Sequence, residues 1–211
     1  MFNFYLLVVI LLISFLFFFI GLKEAKKLRL VYKNNLHSLP HYYGFYALLA
    51  SLLPSLGIYF LMTIGDDFLF SHMIKSYIPD EVTNAKDYNF LIALAQINNS
   101  VEGLIFGTPP QWVTDAAELW KSWVQTSNII VASLCLLTSI ASGYYGFLKI
   151  NQNFRSRNAV EKIIMTLLAA SSVIAIFTTI AIIFSVVFES VRFFALIPID
   201  EFLFGTVWNP Q

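Results

Sequence analysis

Four stretches of this chain are long and apolar enough to cross a lipid bilayer, and none contains Asp, Glu, Lys, Arg or His. A helix rising about 1.5 Å per residue needs roughly 20 apolar residues to span a hydrocarbon core about 30 Å thick. The stretches at 4–22, 44–65, 127–148 and 163–188 meet that length. The last would extend about 39 Å as a helix, which predicts tilt or projection beyond the core. Pro54 lies inside the second and predicts a kink, because proline removes one backbone donor and clashes with the preceding turn.

Composition points the same way. Apolar residues make up 58% of the chain and charged residues 12%, about half the usual charged share of a soluble domain. A chain this poor in polar groups takes lipid as its main solvent. The formal net charge is zero, which gives no electrostatic case for nucleic acid as a partner. The single cysteine, Cys135, lies within an apolar run, so neither a disulfide nor a cysteine zinc framework is available.

Basic residues set the orientation. The segment 23–43 carries Lys23, Lys26, Lys27, Arg29 and Lys33 against Glu24, and the segment 149–162 carries Lys149, Arg155, Arg157 and Lys162 against Glu161. An even number of spans places both loops on one side, which the positive-inside rule makes cytoplasmic. The first span reads as retained, not as a cleaved signal peptide, because its positive residues follow the apolar run and no small-residue cleavage site closes it. The expected fold is therefore an all-α membrane protein with four transmembrane helices and both termini periplasmic. A first helix pair with its basic loop occupies 1–65, a periplasmic amphipathic segment 66–126, a second pair 127–190, and an aromatic tail 191–211.

The periplasmic segment carries helical signals. Phe90, Leu94, Ile97, Val101 and Leu104 recur at three- and four-residue steps through 85–106, and Gly107 closes the pattern. Thr108 then offers a cap, Pro109 a first helical position and Gln111 a reciprocal partner. One face continues through Trp112, Ala116, Leu119, Trp120 and Trp123 into the third span without a breaker, predicting one helix from about 109 to 150. Trp112, Trp120, Trp123 and Trp208 all fall on the outer side, where indole rings favour the headgroup level. These helices either offer a docking face to a soluble partner or rest on the bilayer and cover the spans.

Candidate sites are few. His37 and His41 have the spacing of a helical zinc pair, but Pro40 interrupts the turn between them and no third ligand is evident. Ser139, Ser142, Gly143 and Gly146 form small-residue pairs on the third span, and Ser171, Ala175 and Thr179 line one side of the fourth. Small residues let helix backbones approach and let hydroxyls bond across an interface, so these seven read as helix-packing positions. A polar substrate path is the other reading. It lacks what an anion crossing hydrocarbon requires: cations, aimed backbone donors or a helix amino terminus at mid-depth. The sequence shows no phosphate-cradling glycine loop, nucleophile–base pair or carboxylate dyad. We expect no enzyme, no cofactor, no metal and no permeation path in this chain alone.

Three pieces, in order, resemble one family. "LHSLPHYYGFYALLASLLPSL" (36–56) resembles the entry to the second span in the extended amino-terminal region of bacterial phosphate ABC transporter permeases, the C-type subunit, particularly the alphaproteobacterial kind. "AQINNSVEGLIFG" resembles the outer loop of the extended form, and 155–210 resembles the core-proximal span with its outer "FLFGTxWNP" motif. The resemblance implies an inner-membrane location and a core transport domain beyond the motif, ahead of which this chain stops. It further implies as partners that core domain or fragment, a second permease subunit, an ATP-binding subunit and a periplasmic phosphate-binding protein. The implied function is an accessory membrane region of a phosphate importer. The alternative is a free-standing four-span scaffold or assembly protein that recruits an exported partner.

Overall fold

The computed structural model describes residues 2–32, 36–83, 89–104, 107–197 and 199–205, and these are helical with no strand among them. The helices are α1 (Phe2–Val31), α2 (Pro40–Ile74), α3 (Asp80–Thr83), α4 (Phe90–Glu102), α5 (Gln111–Leu148), α6 (Ser156–Leu196) and α7 (Ile199–Phe204), with a 3-10 turn at Lys75–Tyr77 after α2. Helices α1, α2, α5 and α6 are the four long and apolar enough to cross a membrane. The chain divides into two units, residues 1–160 and 161–211.

In the first unit α2 is the central partner, packed along α5 and α1, with α1 also touching α5. Register follows from the paired residues. Asp66 meets Ser127, Ser55 meets Cys135, Ser51 meets Ser139, and Ala50 faces Gly146. Numbers fall along α2 as they rise along α5, so the two run antiparallel. Ser14 with Ser51 and Gly21 with Ala47 give the same result for α1 and α2. Three apolar clusters lie along this unit. One gathers Ala25, Tyr43 and Ile150, the next Leu6, Ile10, Tyr59, Val131 and Cys135, and the third Ile74, Ile97, Val113, Ala116, Ala117 and Trp120.

Local chemistry sets the helix ends. Leu39 is extended (φ −66°, ψ 146°), as the residue before proline prefers, and Pro40 opens α2, where its missing N–H costs nothing. The Asn89 side chain accepts from the Leu91 N–H at 2.9 Å and caps α4. Gly103, at φ 79°, ends α4 and lets the Leu104 N–H close on the Asn99 carbonyl at 2.8 Å. This stop comes one helical turn before the expected Gly107 and leaves Leu104 outside the helix; the expected start at 85 lies outside the described residues. The Thr108 cap does not form either. Pro110 flanks the start of α5 without any side-chain cap, and α5 opens at Gln111. The double proline keeps Pro109 out of helical geometry, and Pro110 is itself extended (φ −57°, ψ 148°), so helical geometry begins at Gln111. From there α5 runs unbroken to Leu148, the single long helix that the sequence predicts.

In the second unit every residue from Ile164 through Ile197 is exposed, which takes in the apolar stretch of α6 apart from the half-buried Ile163. At its far end Phe202 of α7 meets Phe193 and Phe194 edge-on, with ring centroids 5.3 and 5.7 Å apart. Trp208 lies outside the described residues.

Candidate functional site: a buried hydroxyl seam

Five small polar side chains meet between α1, α2 and α5: Ser14, Ser51, Ser55, Cys135 and Ser139, each buried. The Ser51 hydroxyl donates to the Ser139 carbonyl at 2.9 Å, and the Ser51 and Ser139 hydroxyl oxygens lie 2.9 Å apart. Ser14 reaches Ser51 at 3.3 Å while donating to the Ile10 carbonyl at 2.9 Å. One turn along, Ser55 donates to the Cys135 carbonyl at 2.9 Å, and the Cys135 Sγ points back at the Ser55 carbonyl at 3.6 Å. In hydrocarbon an unpaired hydroxyl costs several kcal/mol, so each of these groups is held where a partner exists. The seam therefore fixes both rotation and register of the three helices. Chemically it can do little else. Its groups are neutral and engaged with one another, and it offers no proton carrier or counter-ion.

Glycines set how closely the helices approach. A Cβ added to Gly143 would lie 2.5 Å from the Phe17 ring, and one at Gly146 would lie 2.7 Å from the Ala50 Cβ. At Gly44 it would lie 2.9 Å from the Phe18 carbonyl oxygen, which cannot rotate aside. Ser142, one step from the seam, is half-buried and donates to its own Thr138 carbonyl at 2.6 Å. Pro54 sits inside α2 directly before Ser55, and the helix continues on both sides of it. A proline there leaves the Ala50 carbonyl without its usual donor, beside the point where Gly146 approaches.

Ser171 and Thr179 on α6 are exposed and donate to the Leu167 and Ala175 carbonyls, each at 2.9 Å, and Ala175 is exposed as well. Trp120 is buried in the cluster with Ile97 and Val113, with Trp112 and Trp123 packed against it, and Phe70 meets the Trp120 ring edge-on at 5.8 Å. The apolar face of α4, through Ala93 and Ile97, is used in the packing of this region. His37 and His41 are exposed, and among the described residues no three His, Cys, Asp or Glu side chains gather as a metal site. At the basic end, Lys149 sits 4.5 Å from the Tyr145 ring, and hydrogen bonding to Tyr145 raises its pKa above the ordinary lysine value.

Sequence reasoning singles out Ser139 and its neighbours but passes over Ser14, Ser51, Ser55 and Asp66. A signal exists for the first three. Ser14 is the one serine or threonine in its apolar stretch, and Ser51 and Ser55 are one turn apart on a common face of α2. Asp66 had none: the carboxylate lies just past the apolar run, and only the fold shows it accepting from the Ser127 hydroxyl.

Together these features define a class: a multi-pass helical membrane protein whose crossing segments carry hydroxyls but no charge. Residues 7–178 match the model of a family described as phosphate ATP-binding cassette transporter. The match covers most of the sequence, and the chain belongs to that family. No curated protein and no solved structure matches it.

Proposed function

We propose that this chain is the amino-terminal accessory membrane region of the permease subunit of an ATP-driven phosphate importer in a bacterial inner membrane. The observation that carries this reading is the family match over 7–178, combined with apolar spans that lack Asp, Glu, Lys, Arg and His. Phosphate is a mono- or dianion at neutral pH, and moving it through a low-dielectric layer demands compensating charge or aimed donors. The seam supplies only hydroxyls already bonded to neighbouring groups. The role is therefore structural: α1, α2 and α5 form a braced unit, and α6 offers its long apolar surface to lipid and to the core permease domain. The chain performs no catalysis, and translocation belongs to the core domain.

Affinity purification of the tagged chain from native membranes in a mild detergent tests this. Recovery of core permease, the second permease subunit and the ATP-binding subunit is the expected result. Recovery of an unrelated exported protein with no transporter subunit would replace the proposal with a free-standing scaffold.

A further inference from the structure

At the basic end of the first unit, a cavity of about 280 Å³ opens between the end of α1, the segment leading into α2 and the start of α6. Arg29 lines it from α1, His37, Ser38 and Tyr42 from the approach to α2 and its first turn, and Arg157 from the first turn of α6. Among the described residues that line it there is no Asp or Glu. The backbone N–H of Arg157 donates to the Ser38 Oγ at 3.2 Å, which ties the start of α6 to the His37–Ser38 turn across a long sequence separation. Tyr43, next to Tyr42, donates to the Phe154 carbonyl at 2.9 Å, which ties the start of α2 to the segment leading into α6. Two guanidinium groups thus come from separate helices onto one pinned framework.

We propose that this cavity binds a phosphate group at the membrane surface, with Arg29 and Arg157 as the principal donors and Ser38, His37 and Tyr42 as supporting polar groups. Guanidinium forks match phosphate oxygens in pairs, which lysine ammonium groups cannot do. Depth argues for a lipid phosphodiester as the source. The Arg29 backbone lies about 10 Å beyond the end of its apolar stretch at ~1.5 Å per residue, from where its long side chain reaches back to headgroup level, and Tyr42 stands at the entrance of the next stretch. Basic pockets between membrane helices are established sites for anionic headgroups. Free inorganic phosphate is the other source of the same chemistry.

The test places the complete chain in nanodiscs containing phosphatidylglycerol and phosphatidylcholine, and follows retained lipid by native mass spectrometry during delipidation. A parallel arm titrates inorganic phosphate against the detergent-solubilised chain by calorimetry. The expected result is selective retention of phosphatidylglycerol, weakened on the order of ten-fold in R29Q/R157Q. The control K23Q/K26Q removes the same charge from exposed α1 lysines outside the cavity and should change retention by less than about two-fold. Saturable binding of inorganic phosphate that R29Q/R157Q abolishes would assign the same site to the free anion. Absence of both lipid preference and phosphate binding in the unsubstituted chain would overturn the proposal whether or not the variant folds. Equal loss in K23Q/K26Q would overturn it too, by reducing the effect to diffuse surface charge.

Discussion

Helices α1, α2 and α5 of the first unit and the long helix of the second both carry serines and threonines in apolar surroundings, yet they use them in opposite ways. Between α1, α2 and α5 the hydroxyls bond from one helix to another, as in Ser51 with Ser139 and Ser55 with the Cys135 carbonyl. Along α6 they turn back on their own backbone: Ser171 to Leu167, Thr178 and Thr179 to Ala175, Ser190 to Val186. Both arrangements satisfy the group, so both are tolerated in lipid. Only the first spends the hydrogen bond on tertiary structure. The composition of a span thus says that its hydroxyls will be satisfied, and only its neighbours decide whether that satisfaction fastens helices together.

The contrast can be attacked at several strengths, each read as the denaturation midpoint of the purified protein with helicity checked by circular dichroism. Trp120→Ala should have the largest effect, about 3–5 kcal/mol, because it empties the centre of the Ile97–Val113 cluster. Phe177→Ala on α6, 67% exposed, should stay within about 0.5 kcal/mol. Equal losses in the two would erase the distinction. Next in size, Gly44→Leu should destabilise by about 1–3 kcal/mol, since the Phe18 backbone blocks even a Cβ. Gly57→Ala, which meets nothing within 4 Å, should be neutral or slightly stabilising.

The hydroxyls themselves give a smaller and sharper reading. Ser51→Ala should cost about 1–2 kcal/mol, and a cycle with Ser139→Ala should show coupling of about 0.6–1.7 kcal/mol. Ser171→Ala and Thr179→Ala should each lie within about 0.5 kcal/mol and show no coupling to each other. Absence of coupling at Ser51–Ser139 would reduce the seam to a coincidence of packing.

Much of the fold was legible because its cause is local. Span length, the Pro40 entry to α2 and the continuity of α5 follow from hydropathy and from where prolines and glycines fall. The apolar pattern puts the end of α4 a turn late because two glycines compete, and both adopt positive φ, at Gly103 and Gly107. The pattern of apolar residues continues past the first, yet the first already supplies the left-handed stop. The seam was legible only by half. Ser139 and Gly143 stand out as a small-residue pair on one helix, whereas Ser14 and Ser51 acquire meaning only from the register between helices. Residues such as Ser171 and Thr179 present the same sequence signature with self-satisfied hydroxyls. No periodicity in a single helix separates those two cases, because what separates them is the surface of another element.

The most direct test of the account is transport by the chain alone. The purified polypeptide, reconstituted into liposomes without any companion subunit, should take up radiolabelled phosphate no faster than protein-free vesicles under an imposed gradient. Saturable uptake above that background would contradict it, since spans whose only polar groups are neutral side chains, as in α1, α2 and α5, would then be carrying an anion across hydrocarbon.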